Sequence, residues 1–154
     1  MNKPRIMHSQ IRDVVFGTNV IVVEPVNIYE CNIGDDCFIG PFVEIQKGVV
    51  IGNKTKIHSH AFICELVTIG ANCVISHGAM FINDPFSIGG PAHGDKNLWK
   101  STHVGNRVSI GTNATILPVK ICDTVVIGAG SVVTKDIMIP GVYAGNPAVM
   151  LRKL

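Results

Sequence analysis

One amino acid recurs at a fixed spacing through the first half of the chain. From Ile33 to Ile75 an isoleucine occupies every sixth position, and Phe81 follows in the same frame. A second register of small side chains lies four residues after each isoleucine, at Cys37, Val43, Val49, Thr55, Ala61, Val67, Cys73 and Ala79. A period of six fits neither an amphipathic helix nor an alternating strand, but it is typical of a β-helix.

The repeat predicts a triangular coil of three short strands, with about 18 residues in each turn. We expect the isoleucines to point inward and the small residues to fill the space near the corners. Several glycines directly follow an isoleucine, and we expect them to ease the backbone through the bend; they are Gly34, Gly40, Gly52 and Gly70. Residues eighteen apart should then stack, as in the column Ile33, Ile51 and Ile69. The predicted fold is all-β, in a single domain of residues 1–154.

The frame is interrupted once and then resumes. It returns with Val104, Ile110 and Ile116, slips by one residue at Ile121, and continues to Val133. The interruption at 84–103 is rich in glycine, and an irregular insertion of this length is more often functional than accidental. Upstream, Val15, Ile21 and Ile28 suggest an imperfect first coil. Downstream, residues 148–154 are expected to cap the coil.

Composition narrows the class of protein. The net charge of +2 gives no electrostatic case for binding nucleic acid or a membrane surface. No apolar stretch approaches the roughly 18 residues that span a bilayer, and no secretory signal is visible, so we expect a cytoplasmic protein. The five cysteines are odd in number and form no C-x-x-C pair. Cys31, Cys37 and Cys73 fall in the small inward register, which predicts a packing role.

The repeats, the extruded loop and two terminal segments carry a family resemblance. The terminal segments are the run IGAGSVVTKD at 127–136 and AGNPA at 144–148. Together they resemble the left-handed parallel β-helix acyltransferases over roughly residues 17–154. Segments 37–46 and 77–84 resemble bacterial N-acetyltransferases that act on nucleotide-linked amino sugars for cell-surface polysaccharides. In those enzymes a Pro-Arg pair commonly follows Asn-Asp, whereas here Asp84 is followed by PFSIGGP.

The resemblance implies a homotrimer that uses acetyl-CoA as its acyl donor, bound in the groove between neighbouring coils. The backbone near Gly111 and Ala129 would bond the pantetheine arm. Lys135 and Arg152 would meet the phosphates, a role that suits their charge.

Acetyl transfer to an amine requires a neutral amine, alignment with the thioester and a donor for the oxyanion. His77 is the first candidate for the base, because it lies at a bend outside the inward registers. Asn83 would orient the amine through its side-chain oxygen, and Asp84 would hold the sugar. His58 and His60 also lie outside the inward registers and are candidates for substrate contact. If the departing CoA thiolate takes the proton, His77 positions the substrate instead.

Three alternatives stay open at this point. The first is O-acetylation of a sugar or other hydroxyl, which would make a histidine base more nearly obligatory. The second is a carbonic-anhydrase-like zinc enzyme, which uses three histidines across a subunit interface; here these would be His60 and His77 on adjacent coils, with His58 or a loop histidine as the third. The main prediction contains no metal. The third is a non-catalytic trimeric scaffold. His93 and His103 lie in or beside the loop and are candidates for gating it or contacting a nucleotide. Trp99 would stack on a base or on the CoA adenine, or anchor the loop to the neighbouring subunit.

Overall fold

The computed structural model describes residues 4 and 6–154, which form a parallel β-helix of short strands. In chain order the strands are β1 (Ile11–Arg12), β2 (Val15–Phe16), β3 (Ile21–Val22), β4 (Asn27–Tyr29), β5 (Asn32–Ile33), β6 (Phe38–Ile39), β7 (Glu44–Ile45), β8 (Val50–Ile51), β9 (Lys56–Ile57), β10 (Phe62–Ile63), β11 (Val67–Ile69), β12 (Val74–Ile75), β13 (Met80–Phe81), β14 (Thr102–Val104), β15 (Ser109–Ile110), β16 (Thr115–Ile116), β17 (Lys120–Ile121), β18 (Val125–Ile127), β19 (Val132–Val133), β20 (Gly141–Gly145) and β21 (Ala148–Lys153). One 3₁₀ turn, Lys96–Leu98, interrupts the pattern inside the long loop.

Every third strand joins the same sheet, as the predicted triangular coil requires. One sheet has seven strands in the order β1-β4-β7-β10-β13-β16-β19, a second has six and a third has eight. Asn32 pairs with Val50, so these coils repeat after eighteen residues, whereas Val104 pairs with Ile121 after the predicted slip of one residue. The final strand, β21, folds back antiparallel on β20 and caps the eight-stranded sheet. The predicted all-β helix with one extruded loop and a C-terminal cap is confirmed.

The core is a stack of the isoleucines that the repeat singled out. All eight from Ile33 to Ile75 are at most 2% exposed, and Phe81 is 1% exposed. Close stacking of equivalent side chains gives each of them many dispersion contacts in addition to the burial of apolar surface. The cysteines of the small register are buried as predicted, and the Cys37 thiol donates to the Gly52 carbonyl oxygen at 3.3 Å.

The first coil is one residue out of the predicted frame. Val15 is 66% exposed and Ile21 is 59% exposed, so two of the three residues predicted to point inward face outward. Their neighbours replace them, because Phe16 pairs with Ile33 and Val22 pairs with Ile39. Adjacent residues of a strand point to opposite faces, so a slip of one residue exchanges the inward and outward sets.

The glycines after the isoleucines have a different role from the predicted one. Gly34, Gly40, Gly52 and Gly70 have no positive φ; instead, the left-handed backbone falls two residues later, for example at Asp36, with φ 55°. A Cβ atom on Gly52 would lie 2.6 Å from the backbone carbon of Gly70 in the next coil. These positions therefore need glycine because successive coils approach closely there.

The three sheets meet at three edges that differ in character. We call the edge between the eight- and seven-stranded sheets the histidine edge; it consists of residues 40–42, 58–60, 76–78, 111–113 and 128–130. The loop edge joins the seven- and six-stranded sheets and contains the long loop, residues 82–101. The remaining edge carries a polar ladder, in which Asp35 accepts from Thr18 and Asn53 donates to Asp35.

Candidate active site

Five of the predicted site residues lie along the histidine edge. His58 and His60 occupy one coil, His77 the next, and Gly111 and Ala129 the two that follow. His77 is in line with Ala129, because Ile75 pairs with Ile110 and Ile110 pairs with Ile127, two residues before each corner position. The candidate base, His77, and the backbone predicted to bind the acyl donor therefore lie on the same edge of the β-helix.

His58 and His77 stack on one another. Their ring centroids are 4.8 Å apart with an interplanar angle of 29°, and the centroid of the Phe38 ring lies 6.0 Å from that of His58. Partial burial lowers the pKa of His58, and the neighbouring His77 and Lys56 lower it further. His77 is exposed, whereas His58 is half-buried. His77 is thus the accessible member of the pair, and His58 is biased toward its neutral form.

His60 contacts a different ring. It stacks on Phe42 at 4.8 Å between centroids and 15° between planes. The pair considered for a shared zinc ion, His60 and His77, is therefore not the pair that is in contact. Across the described part of the chain, no three His, Cys, Asp or Glu side chains come together as a metal site.

The structure does not bring His77 and Asn83 together within one chain. His77 follows β12 on the histidine edge, whereas Asn83 follows β13 on the loop edge, so the seven-stranded sheet separates them. The Asn83 side-chain nitrogen donates to the Glu65 carbonyl oxygen at 3.3 Å, which leaves its side-chain oxygen available as an acceptor. Asn83 is half-buried at the point where the loop leaves the coil.

Asp84 holds the loop in shape. One carboxylate oxygen accepts from the Phe86 amide at 2.9 Å and the other accepts from the Ala92 amide at 2.7 Å. Ala92 is 5% exposed, so the second contact pins a buried part of the loop. If Asp84 also binds substrate, as we predicted, its carboxylate must do so while it accepts hydrogen bonds from these two amides.

The loop is anchored at its far end as well. Lys96 forms an ion pair with Glu65 at 2.6 Å, and its ammonium group lies 5.2 Å from the centroid of the Trp99 ring. The Lys100 amide donates to the Asn83 carbonyl oxygen, which closes the loop on itself. The irregular segment is therefore 82–101 and not 84–103, because strand pairing resumes at Thr102. His103 is an exposed residue of β14, and His93 stays in the loop.

The four predicted cofactor-binding residues do not form one cluster. A Cβ atom on Gly111 would lie 2.5 Å from the Ala129 amide nitrogen, so this glycine is required by coil packing whatever else it binds. Arg152 is exposed on β21 and pairs with Val142 in the sheet that ends at the histidine edge. Lys135 is exposed on the loop edge instead.

Two features of the candidate site and its loop were missed from the sequence. One is the pair of aromatic partners, Phe38 and Phe42, which stack on His58 and His60. The signal was present, because Phe42 and His60 are eighteen residues apart. The other is the anchor between Glu65 and Lys96, for which a separation of 31 residues across an irregular loop gives no pattern.

No helix among residues 4 and 6–154 has the length and hydropathy that crossing a bilayer requires.

Comparisons with known proteins agree with this architecture. Residues 30–65 match the family described as "Bacterial transferase hexapeptide (six repeats)", and residues 102–135 match "Hexapeptide repeat of succinyl-transferase". The bifunctional protein GlmU of Clostridium acetobutylicum is 34% identical over 139 residues, which are 84% of this chain and 30% of that protein. The chain spans about a third of the length of the curated relatives it matches.

Solved structures share the fold of this chain. AntD, an N-acyltransferase from Bacillus cereus crystallised with dTDP and coenzyme A, is 23% identical with a TM-score of 0.73, covering 90% of this chain and 83% of that one. A hexapeptide-repeat acetyltransferase from Vibrio cholerae is 25% identical with a TM-score of 0.65, covering 90% and 72%. The matched repeats, the coil and these relatives agree: the chain belongs to the hexapeptide-repeat acyltransferase family.

Proposed function

We propose that the chain transfers an acetyl group from acetyl-CoA to the amino group of a nucleotide-linked amino sugar. The observation that carries the proposal is the alignment of His77 with Ala129 along the histidine edge, beside Gly111. A thioester held against the Gly111 and Ala129 backbone would present its carbonyl carbon next to an exposed imidazole. Several relatives support the donor and the acceptor class: the Vibrio cholerae enzyme was solved with acetyl-CoA, and AntD with dTDP.

The chemistry balances with these groups alone. The neutral amine attacks the thioester carbonyl carbon, so that a C–N bond forms and the C–S bond breaks. The nitrogen loses one proton, which His77 accepts and then donates to the departing thiolate, so that coenzyme A leaves as the thiol. Asn83 orients the amine through its side-chain oxygen, while a backbone amide of the histidine edge, such as that of Ala129, would donate to the oxyanion.

A site that uses both His77 and Asn83 needs two copies of the chain. Within one copy these residues lie on different edges, so the loop edge of one protomer must meet the histidine edge of another. Closed three-fold assembly gives each protomer one such contact on either side. We therefore propose a homotrimer with its active sites between subunits. The unpaired cysteines fit a reducing compartment, and we place the reaction in the cytoplasm.

The test is thiol release from acetyl-CoA with a panel of dTDP- and UDP-linked amino sugars and their hydroxyl counterparts. We expect turnover with an amino sugar, and a fall in kcat of about 10²-fold in His77→Ala. His8→Ala removes an exposed histidine that precedes the first strand and should leave turnover unchanged.

The other outcomes point elsewhere. Turnover with the hydroxyl compounds alone would identify an O-acetyltransferase. No thiol release with any acceptor would contradict acyl transfer and favour a non-catalytic scaffold.

A further inference from the structure

The histidine edge carries a second pair of stacked rings, which the proposed transfer does not use. Phe42 and His60 are nearly parallel, with centroids 4.8 Å apart. Phe42 is 56% exposed and His60 is also exposed, so the pair forms a flat apolar surface open to solvent. A rigid aromatic face of this kind is the surface on which planar ligands stack.

The backbone gives no reason for rings at these positions. The corner residue that Phe42 and His60 occupy adopts a left-handed conformation in each coil, with φ of 61° and 63° here. Later coils fill the equivalent position with Gly78, Asn113 and Gly130. Glycine and asparagine adopt this backbone readily and bulky residues do not. Phe42 therefore combines a disfavoured backbone with an exposed apolar ring, and this combination points to a role in binding.

A groove with both polar and apolar lining residues adjoins the Phe42 ring. Asn27 and Glu44, both half-buried, line it together with the Ser9 hydroxyl. Glu44 accepts from the Gln46 side-chain nitrogen at 2.9 Å through one oxygen, which leaves its other oxygen able to accept from a ligand. An amide, a hydroxyl and a carboxylate offer both donors and acceptors. The edge of a nucleobase also presents both, next to a flat face that can stack.

The position of the pair along the edge fits the distal end of the acceptor. Gly111 and Ala129 lie on the C-terminal side of His77, so an acceptor that meets the donor at His77 extends toward the N-terminal coils. Phe42 lies two coils away in that direction, on the order of 10 Å at the usual strand spacing. In a nucleotide-linked sugar a diphosphate separates the base from the sugar, so the base must lie at a distance from the reacting amine.

We propose that Phe42, supported by His60, is the stacking platform for the base of the nucleotide carrier. This inference rests on the proposed function, because it assigns a binding surface to the nucleotide base of the proposed acceptor. The residues that the transfer step uses do not contact that base. Phe42 sets the affinity for the carrier and takes no part in the transfer step.

Binding of nucleoside diphosphates without sugar or acetyl-CoA tests the platform directly. Isothermal titration calorimetry with UDP, dTDP and GDP would be compared between the wild-type protein and Phe42→Leu, which keeps an apolar side chain but removes the π face. We expect at least one nucleotide to bind and its Kd to rise about tenfold in the variant. Pyrophosphate, which carries the charge without the base, should bind equally to both proteins.

Phe86→Leu is the matched control. Phe86 is 59% exposed and has a φ of 51°, so its replacement removes a similarly exposed ring from the same kind of backbone. Unchanged nucleotide affinity in Phe42→Leu, equal losses in both variants, or no binding by the wild-type protein would each overturn the platform. Nucleotide binding that depends on Phe42 without acetyl transfer would sustain the platform and reject the proposed function. Acetyl transfer with the same KM for the acceptor in Phe42→Leu as in the wild-type protein would do the reverse.

Discussion

The rings of His58 and His77 stack with their centroids 4.8 Å apart, although the two residues are on different coils and nineteen positions apart in sequence. The neighbouring His77 imidazole disfavours protonation of His58 and so lowers its pKa, after the larger effect of burial. His58 is the more buried member and also faces Lys56, whereas His77 is open to solvent. The pair therefore places an imidazole that a substrate can reach beside a half-buried His58, whose pKa is lowered.

Replacing His77 should raise the pKa of His58. Burial is the largest cause of the lowered pKa of His58, and His77 is the next, so His77→Phe removes one lowering contribution while it keeps a stacked ring. The imidazole signals of His58 in NMR spectra recorded across a pH titration report this change. His103→Phe, on another sheet, should leave the titration of His58 where it was. An unchanged midpoint in His77→Phe would show that the two rings are not coupled.

The same lowered pKa makes stability depend on pH with a defined sign. The folded protein binds a proton at His58 less readily than the unfolded chain, whose histidine titrates near the ordinary value of 6.5. The stabilising contribution is therefore present above that pH and is lost as the pH falls through the lowered pKa of the folded state. Urea denaturation should show that His58→Phe loses less stability than wild type between about pH 7 and pH 5. A steeper loss in the variant would contradict the assignment.

Glycine at position 52 should be required by packing alone. A Cβ atom there would lie 2.6 Å from the backbone of Gly70, whereas one on Gly90 meets nothing within 4 Å. Since neither position has a positive φ, both alanine variants should gain similarly from a less flexible unfolded chain. We expect Gly52→Ala to lower the free energy of unfolding by about 1–3 kcal/mol and Gly90→Ala to change it by less than about 0.5 kcal/mol. Equal denaturation midpoints for Gly52→Ala and Gly90→Ala would mean that the coils move apart easily to make room for the added methyl group.

Asp84 should order the loop even when no substrate is present. Its carboxylate accepts from the Phe86 and Ala92 amides, so Asp84→Ala leaves the Ala92 amide buried without its partner. Hydrogen–deuterium exchange should accelerate across residues 86–101 in this variant and remain unchanged in the coils. Ser87→Ala, an exposed change at the loop tip, is the control. Protection equal to wild type in Asp84→Ala would return Asp84 to a role in substrate binding alone.

The fold was predictable because each coil repeats one local rule. The frame correctly predicted that Ile57 and Cys37 are buried, because burial in a solenoid follows from position in the repeat. It also located the slip of one residue at Ile121. It failed where the repeat is weakest, at Val15 and Ile21. There the frame has too few coils to fix the register, and a shift of one residue turns each side chain to the other face.

The composition of the site was only partly predictable. Counting strands around the triangle would have separated His77 from Asn83, because each lies two residues after the inward residue of a different sheet. The contacts of Asp84 and Lys96 had no such signal. They depend on the path of an irregular loop, and the repeat specifies nothing about that path.

The central claim is that one active site combines His77 of one protomer with Asn83 of another, and mixed assemblies test it most directly. His77→Ala and Asn83→Ala would be produced separately and also co-expressed, and thiol release from acetyl-CoA would be measured for all three preparations. With random mixing of protomers, about one quarter of the shared sites contain both native residues, so the mixture should recover about a quarter of the wild-type rate. A mixture no more active than the two separate variants would show that the residues act within one chain, or do not act together, and would contradict the account.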